Sequence, residues 1–200
     1  MTQYPSIGHL VLTAVLTAVA SLATTLYFFP PTYTESWLLA AGTFIVIGLA
    51  TKGLAVPITE SGSLASTAYI PQFAALLTMG PSGAVSVTAL YEVVWQFLLQ
   101  RKEPVKAAYN AAQLTISIAF ASFAFHLFGG SYSLRSLEIA DNLFPFLAAA
   151  AVYFTVNKTA VSYIISASER EQIQNVWRRI SENILLVDLA ISPLAIRVAY

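Results

Sequence analysis

The 200-residue chain has no cysteine, so disulfides, thiolate metal sites and cysteine nucleophiles are excluded. Charge is almost as scarce. Lys, Arg, Asp and Glu make up 10% of the residues, against roughly 25% in a soluble domain. Ten basic residues balance ten acidic ones, so no basic excess exists to neutralise phosphates, and nucleic acid is not an expected partner. So few charges cannot furnish the hydrated surface of a soluble protein. Disorder is excluded as well, because 57% of the residues are hydrophobic. GxSxG, P-loop, dinucleotide-binding and HExxH patterns are all missing. The expectation is therefore no catalytic residue, no metal and no cofactor.

What the chain does have is long apolar runs. A bilayer-spanning helix needs about 20 largely apolar residues. The runs predict a single all-α domain over residues 1–200, a polytopic membrane bundle of six to seven transmembrane helices. The spans are 7–29, 37–56, 64–79, 84–100, 107–128, 143–167 and 184–200. Pro30-Pro31 ends the first, and Gly80-Pro81-Ser82-Gly83 reverses the chain between the third and fourth. The third is short, about 24 Å at the helical rise, and the seventh is about 25 Å. Residues 168–183 carry charges interleaved with Ile173, Val176, Trp177 and Ile180 at helical spacing. That pattern suits a cytoplasmic interfacial helix, or equally a linker helix packed on its neighbours.

Basic residues concentrate in cytoplasmic loops. Arg101, Lys102 and Lys106 follow span four, and Arg170, Arg178 and Arg179 follow span six. The opposite side holds only Arg135. This places the N-terminus in the cytoplasm. Tyr27, Phe28, Phe29, Tyr33 and Trp37 read as an aromatic girdle at the other membrane face.

Four ionisable groups fall within the spans: Lys52, Glu92, Lys158 and Asp188. Such groups are costly in lipid and face the bundle interior or a partner. Counting from the basic ends puts Glu92, Gln113, Lys158 and Asp188 about 12, 10, 14 and 8 Å deep, a common level. Glu92 and Gln96 share one helix face, as do Asn110, Gln113 and Ser117. Tyr153 and Asn157 share another. The candidate site is thus a polar cluster of Glu92, Gln96, Asn110, Gln113, Tyr153, Asn157, Lys158 and Asp188, open towards the cytoplasm. Glu92–Lys158 and Asp188–Lys158 are the expected ion pairs, and the sequence does not choose between them. Lys52 either reaches the cluster or snorkels to the surface. The cluster suits a small polar ligand, or a proton or ion step. The competing reading is interhelical hydrogen bonding, worth about 0.6 kcal/mol per contact. His9 and His126 lie at opposite ends of their spans and form no shared site. Ala14 and Ala18, four apart, permit close helix contact within the chain or with a partner.

Several stretches resemble the N-terminal multi-span membrane regions of bacterial HD-GYP phosphohydrolases and GGDEF-type signalling proteins. They are Arg101-Lys102-Glu103-Pro104, Ala108-Tyr109-Asn110-Ala111-Ala112-Gln113, Phe125 to Gly130, Tyr153-Phe154-Thr155-Val156-Asn157, and the amphipathic Glu171 to Arg179. The resemblance covers residues 64–200. It implies a sensory or anchoring input region in the bacterial plasma membrane, with the lipid bilayer, a cytoplasmic output domain and a second copy as partners. It also implies an eighth span and an output domain beyond Tyr200, so the chain is expected to be a fragment. The alternative is the substrate-binding membrane subunit of a vitamin-type transporter, whose first span docks a partner through an Ala-x-x-x-Ala face.

Overall fold

The computed structural model describes residues 6–53, 56–57, 64–65, 69–132 and 139–181. Helix α1 spans Ile7–Phe28, its start capped by the Ser6 hydroxyl, which accepts from the His9 amide at 3.3 Å. Helix α2 spans Glu35–Gly53, where Thr34 Oγ1 accepts from the Trp37 amide at 3.2 Å. A two-residue antiparallel ladder follows, β1 (Val56–Pro57) against β2 (Leu64–Ala65), with Val56 opposite Ala65. Helix α3 covers Tyr69–Val93 and continues as π-helical turns over Val94–Leu99. Helix α4 spans Pro104–Leu127 and α5 spans Ile139–Glu169. A last helix, α6, covers 173–181.

α3 is a hairpin. Gly80 takes φ 77° and ψ −174°, a conformation open in practice only to glycine, and Pro81 then starts a second arm with its φ already set. Gln72 Nε2 donates to the Tyr91 hydroxyl at 2.6 Å. A straight helix would hold those two backbones about 28 Å apart, beyond the reach of both side chains. The arms 69–79 and 81–93 therefore lie antiparallel. The tip at Gly80 sits against Tyr132, beside the far end of α4.

The hairpin forms the centre of the bundle. Phe73, Leu76, Leu77, Val85 and Tyr91 of its two arms are buried together with Ile118 and Phe125 of α4 and Phe146 and Phe154 of α5. Edge-to-face ring contacts tie it to α5: Phe73 to Phe146 and to Tyr153 at 5.3 Å, and Tyr69 to Phe154 at 5.2 Å. On the other side α2 comes close through Gly48, where a Cβ would stand 2.8 Å from the Tyr91 ring. α1 packs mainly on α4, and Ala18 is buried. Leu12, Leu16 and Val19 of α1, Leu39 and Val46 of α2, and Phe144 of α5 point outward. This inverted surface suits lipid rather than water.

The all-helical expectation agrees with the described residues apart from the short ladder, but the count of six to seven spans is corrected. Among the described residues, four elements are long and apolar enough to cross a membrane: Ile7–Phe28, Glu35–Gly53, Tyr69–Leu99 and Asp141–Glu169. The expected spans 64–79 and 84–100 are the arms of one hairpin, and Leu64–Ala65 are extended because they pair with β1. Helix α4 matches span 107–128 in position but carries Asn110, Gln113, Thr115, Ser117 and Ser122, which lower its hydropathy. The expected span 184–200 lies outside the described residues. The 168–183 segment starts later than expected. α5 runs through Glu169 and turns at Arg170, φ 55°, so the helix begins at 173. Val176 is fully buried there, and Arg179 bridges Glu169 at 2.9 Å and Glu171 at 3.3 Å across the turn.

Candidate functional site

Glu92 lies on the second arm of the hairpin with its side chain wholly buried. Lys52 Nζ stands 2.6 Å from Glu92 Oε1 and 2.7 Å from Oε2, and also faces the Tyr91 ring at 6.0 Å. Gln96 Nε2 donates to Glu92 Oε2 at 3.2 Å, and Asn110 Nδ2 reaches Gln96 Oε1 at 3.4 Å. The polar chain Lys52–Glu92–Gln96–Asn110 thus crosses three elements: α2, the hairpin with its π turns, and α4. A buried charge survives in a low-dielectric interior only when paired and hydrogen-bonded, and here both conditions are met. The approach of α2 through Gly48 is what brings Lys52 within reach.

The expected Glu92–Lys158 pairing is replaced by Glu92–Lys52. Lys158 is buried on α5, and Asp188 lies outside the described residues. Lys102 belongs to the same electrostatic neighbourhood. Its backbone amide donates to the Gln96 carbonyl at 3.1 Å. Burial pushes its ammonium below the usual lysine range, the charge of Lys52 lowers it further, and Glu92 partly offsets both.

Helical counting places Gln113, Tyr153 and Asn157 within about one turn of the level of Glu92. The Tyr109 hydroxyl donates to the Ala160 carbonyl at 2.6 Å, fixing the register of α4 against the antiparallel α5. Counting one turn from that bond sets Gln113 opposite residues 156–157. Gln113 lies one turn beyond Asn110, whose amide reaches the hairpin, and Asn157 one turn beyond Tyr153, whose ring packs on it. Gln72 joins them through Tyr91, the neighbour of Glu92. Among the described residues, Gln72 Oε1, Gln113 Oε1 and Asn157 Oδ1 are buried and accept no hydrogen bond. An orphaned buried acceptor costs about 1–3 kcal/mol, so each of the three calls for a donor.

The model of one family of membrane-associated sensory domains, MASE9, matches residues 69–200. The chain belongs to the MASE9 family. No curated protein matches it. The MASE9 region begins at Tyr69, the first residue of the hairpin, and includes Glu92, Gln96, Asn110, Gln113, Tyr153 and Asn157. Lys52 lies before it. The ion pair therefore joins the MASE9 region to the α1–α2 pair that precedes it.

Sequence reasoning left Lys52 open between the cluster and the surface, and did not include Gln72, Tyr91 or Tyr109 in the site. Lys52 carried a signal, as a lone lysine inside an apolar run. Gln72 carried a weaker one, a fully buried amide in an otherwise apolar stretch. Nothing local marked Tyr91, and Tyr109 was marked only as part of the Ala108 to Gln113 stretch that carries the resemblance.

Proposed function

We propose that this chain is the membrane-embedded input region of a bacterial signalling protein, lying in the plasma membrane with its basic end and N-terminus in the cytoplasm. Its output is carried by a cytoplasmic domain of HD-GYP or GGDEF type, and the polar layer around Glu92 is its sensing element. The observation that carries this reading is the MASE9 match across a region that holds a buried, incompletely satisfied polar layer. The polar faces of the hairpin and α4 are tolerated because neighbouring helices cover them.

Two measurements test the reading. The chain is cysteine-free, so single cysteines report topology without background. An impermeant maleimide is expected to label Ser131→Cys in intact cells, and Glu103→Cys only after permeabilisation. The reverse pattern overturns the orientation. In cells carrying the complete coding sequence, Asn110→Leu with Asn157→Leu is expected to alter output several-fold at unchanged membrane level. Unaltered output would reduce the region to an anchor, and chain-dependent uptake of a solute would favour a transporter.

A further inference from the structure

The exit of the hairpin joins an apolar surface directly to a cationic one. Leu98 and Leu99, and Val105 beyond the turn, are more than half exposed, and Arg101, Lys102 and Lys106 are exposed beside them. In a membrane, outward-facing aliphatic side chains mark the level of the acyl chains. Cations a few residues further on then stand at the level of the headgroups. Trp95 of the π turns is half-buried at the end of α2, its ring 3.8 Å from where a Cβ on Gly53 would stand.

Two of the cations here lack a counter-ion. Lys106 is paired with Glu103 at 3.0 Å, and Lys52 with Glu92. Among the described residues, Arg101 and Lys102 form no ion pair. Lys102 is worse placed than an ordinary surface lysine. Its ammonium is partly withdrawn from water and opposed by the like charge of Lys52, and Glu92 offsets the two effects only in part. The backbone of the turn is also held. Arg101 sits in the left-handed region at φ 49°, and the Lys102 amide donates to the Gln96 carbonyl at 3.1 Å, which caps the π turns. Two adjacent cations are thus fixed at the membrane surface beside a buried carboxylate that already has its partner.

We propose that the turn 98–106 binds the headgroup of an anionic phospholipid. The lipid phosphate accepts from the Arg101 guanidinium and the Lys102 ammonium, and the acyl chains lie along Leu98, Leu99 and Val105. A zwitterionic headgroup carries the same phosphate but brings its own cation, so it leaves the excess positive charge in place. An anionic lipid supplies the missing charge, and the exit of the hairpin beside α2 becomes sensitive to the composition of the leaflet. The site needs only the membrane location and does not depend on the signalling reading.

The test uses the full chain in nanodiscs of phosphatidylglycerol and phosphatidylcholine, one of the two carrying brominated acyl chains. Trp37→Phe with Trp177→Phe leaves Trp95 as the lone tryptophan, and its quenching reports which lipid lies against the turn. At low ionic strength, phosphatidylglycerol is expected to associate at least about fivefold more tightly than phosphatidylcholine. Adding Arg101→Gln with Lys102→Gln is expected to bring that ratio to about one, whereas Lys102→Arg keeps it. Glu103→Gln with Lys106→Gln removes a matched pair and is expected to leave the ratio within about twofold of the parent. A second measurement needs no tryptophan substitution. The unfolding temperature of the unaltered chain is expected to rise when phosphatidylglycerol replaces phosphatidylcholine, and the rise to vanish in Arg101→Gln with Lys102→Gln. A ratio near one in the parent, or one that survives loss of both cations, would overturn the proposal. So would an equal loss in the matched-pair variant, which would mean a diffuse field rather than a site. Relief of the quenching by inorganic phosphate at constant ionic strength would assign the turn to a free anion and overturn the lipid assignment. An unfolding temperature indifferent to lipid charge would overturn it as well.

Discussion

Lys52 and Glu92 are forty residues apart in sequence, yet the ammonium of one stands within hydrogen-bond distance of both carboxylate oxygens of the other. The lysine side chain is 9% exposed and the glutamate side chain not at all. The pair is the point at which α2 is tied to the central hairpin, and Gln96 and Asn110 extend it to α4. Its burial makes the two charges mutually dependent.

Removing one member should therefore cost far more than removing both. Lys52→Met or Glu92→Gln alone is expected to destabilise the fold by about 3–5 kcal/mol, because the surviving charge stays buried. The double variant is expected to lie within about 1 kcal/mol of wild type. Chemical unfolding in detergent gives the three values. Additive losses would show that the charges do not act as a pair.

The hairpin tip depends on glycine. Gly80→Ala would force a side chain into φ 77°, with the new Cβ 2.5 Å from the Tyr132 ring. The expected loss is about 1–3 kcal/mol from the backbone alone. Tyr132→Ala added to Gly80→Ala should recover the steric part and leave the backbone part. A stable, wild-type-like Gly80→Ala would mean that the reversal does not lie at this residue.

Tyr109 holds α4 in register on α5 through the Ala160 carbonyl. Tyr109→Phe keeps the ring and removes the bond, with an expected cost of about 0.5–1.5 kcal/mol. Disulfide trapping between cysteines introduced on α4 and α5 should also become less selective for one pairing. Undiminished selectivity would assign the register to packing alone.

The lowered Lys102 ammonium has a pH signature. Its proton affinity in the folded chain is below the ordinary lysine value of 10.5. Below the folded pKa the charged form is penalised in full. As pH rises from there towards the unfolded value, the folded chain releases its proton first and the penalty fades. Lys102→Gln is thus expected to be more stable than wild type at neutral pH, with the advantage shrinking between the folded pKa and about 10.5. A stability difference constant across that range would contradict the assignment.

Much of this arrangement is legible in the order of residues. Apolar runs bounded by proline and glycine locate α1, α2, α4 and α5 within a few residues, because each helix is stabilised by its own period. The same period groups Glu92 with Gln96 and Asn110 with Gln113, and counting along the helices puts them at one level. The reversal at Gly80-Pro81 is legible too, since those residues cannot continue a helix unbroken. Less visible are the start of the third run and the turn at Arg170. Leu64–Ala65 are extended only because β1 pairs with them, and Arg170 adopts a left-handed conformation between two segments that bond across it.

The sequence by itself determined the class of this protein and the faces of its helices. Both follow from local quantities, the scarcity of charge and the spacing of polar groups. Only the tertiary structure decided that two short runs form the buried hairpin at the centre of the bundle. It also decided that Glu92 takes Lys52 rather than Lys158, and that three amide oxygens find no donor among the described residues. Helical periodicity tells which way a side chain faces along its own axis. Which partner it meets depends on how closely the neighbouring helix docks, and here that is set by Gly48 against the ring of Tyr91.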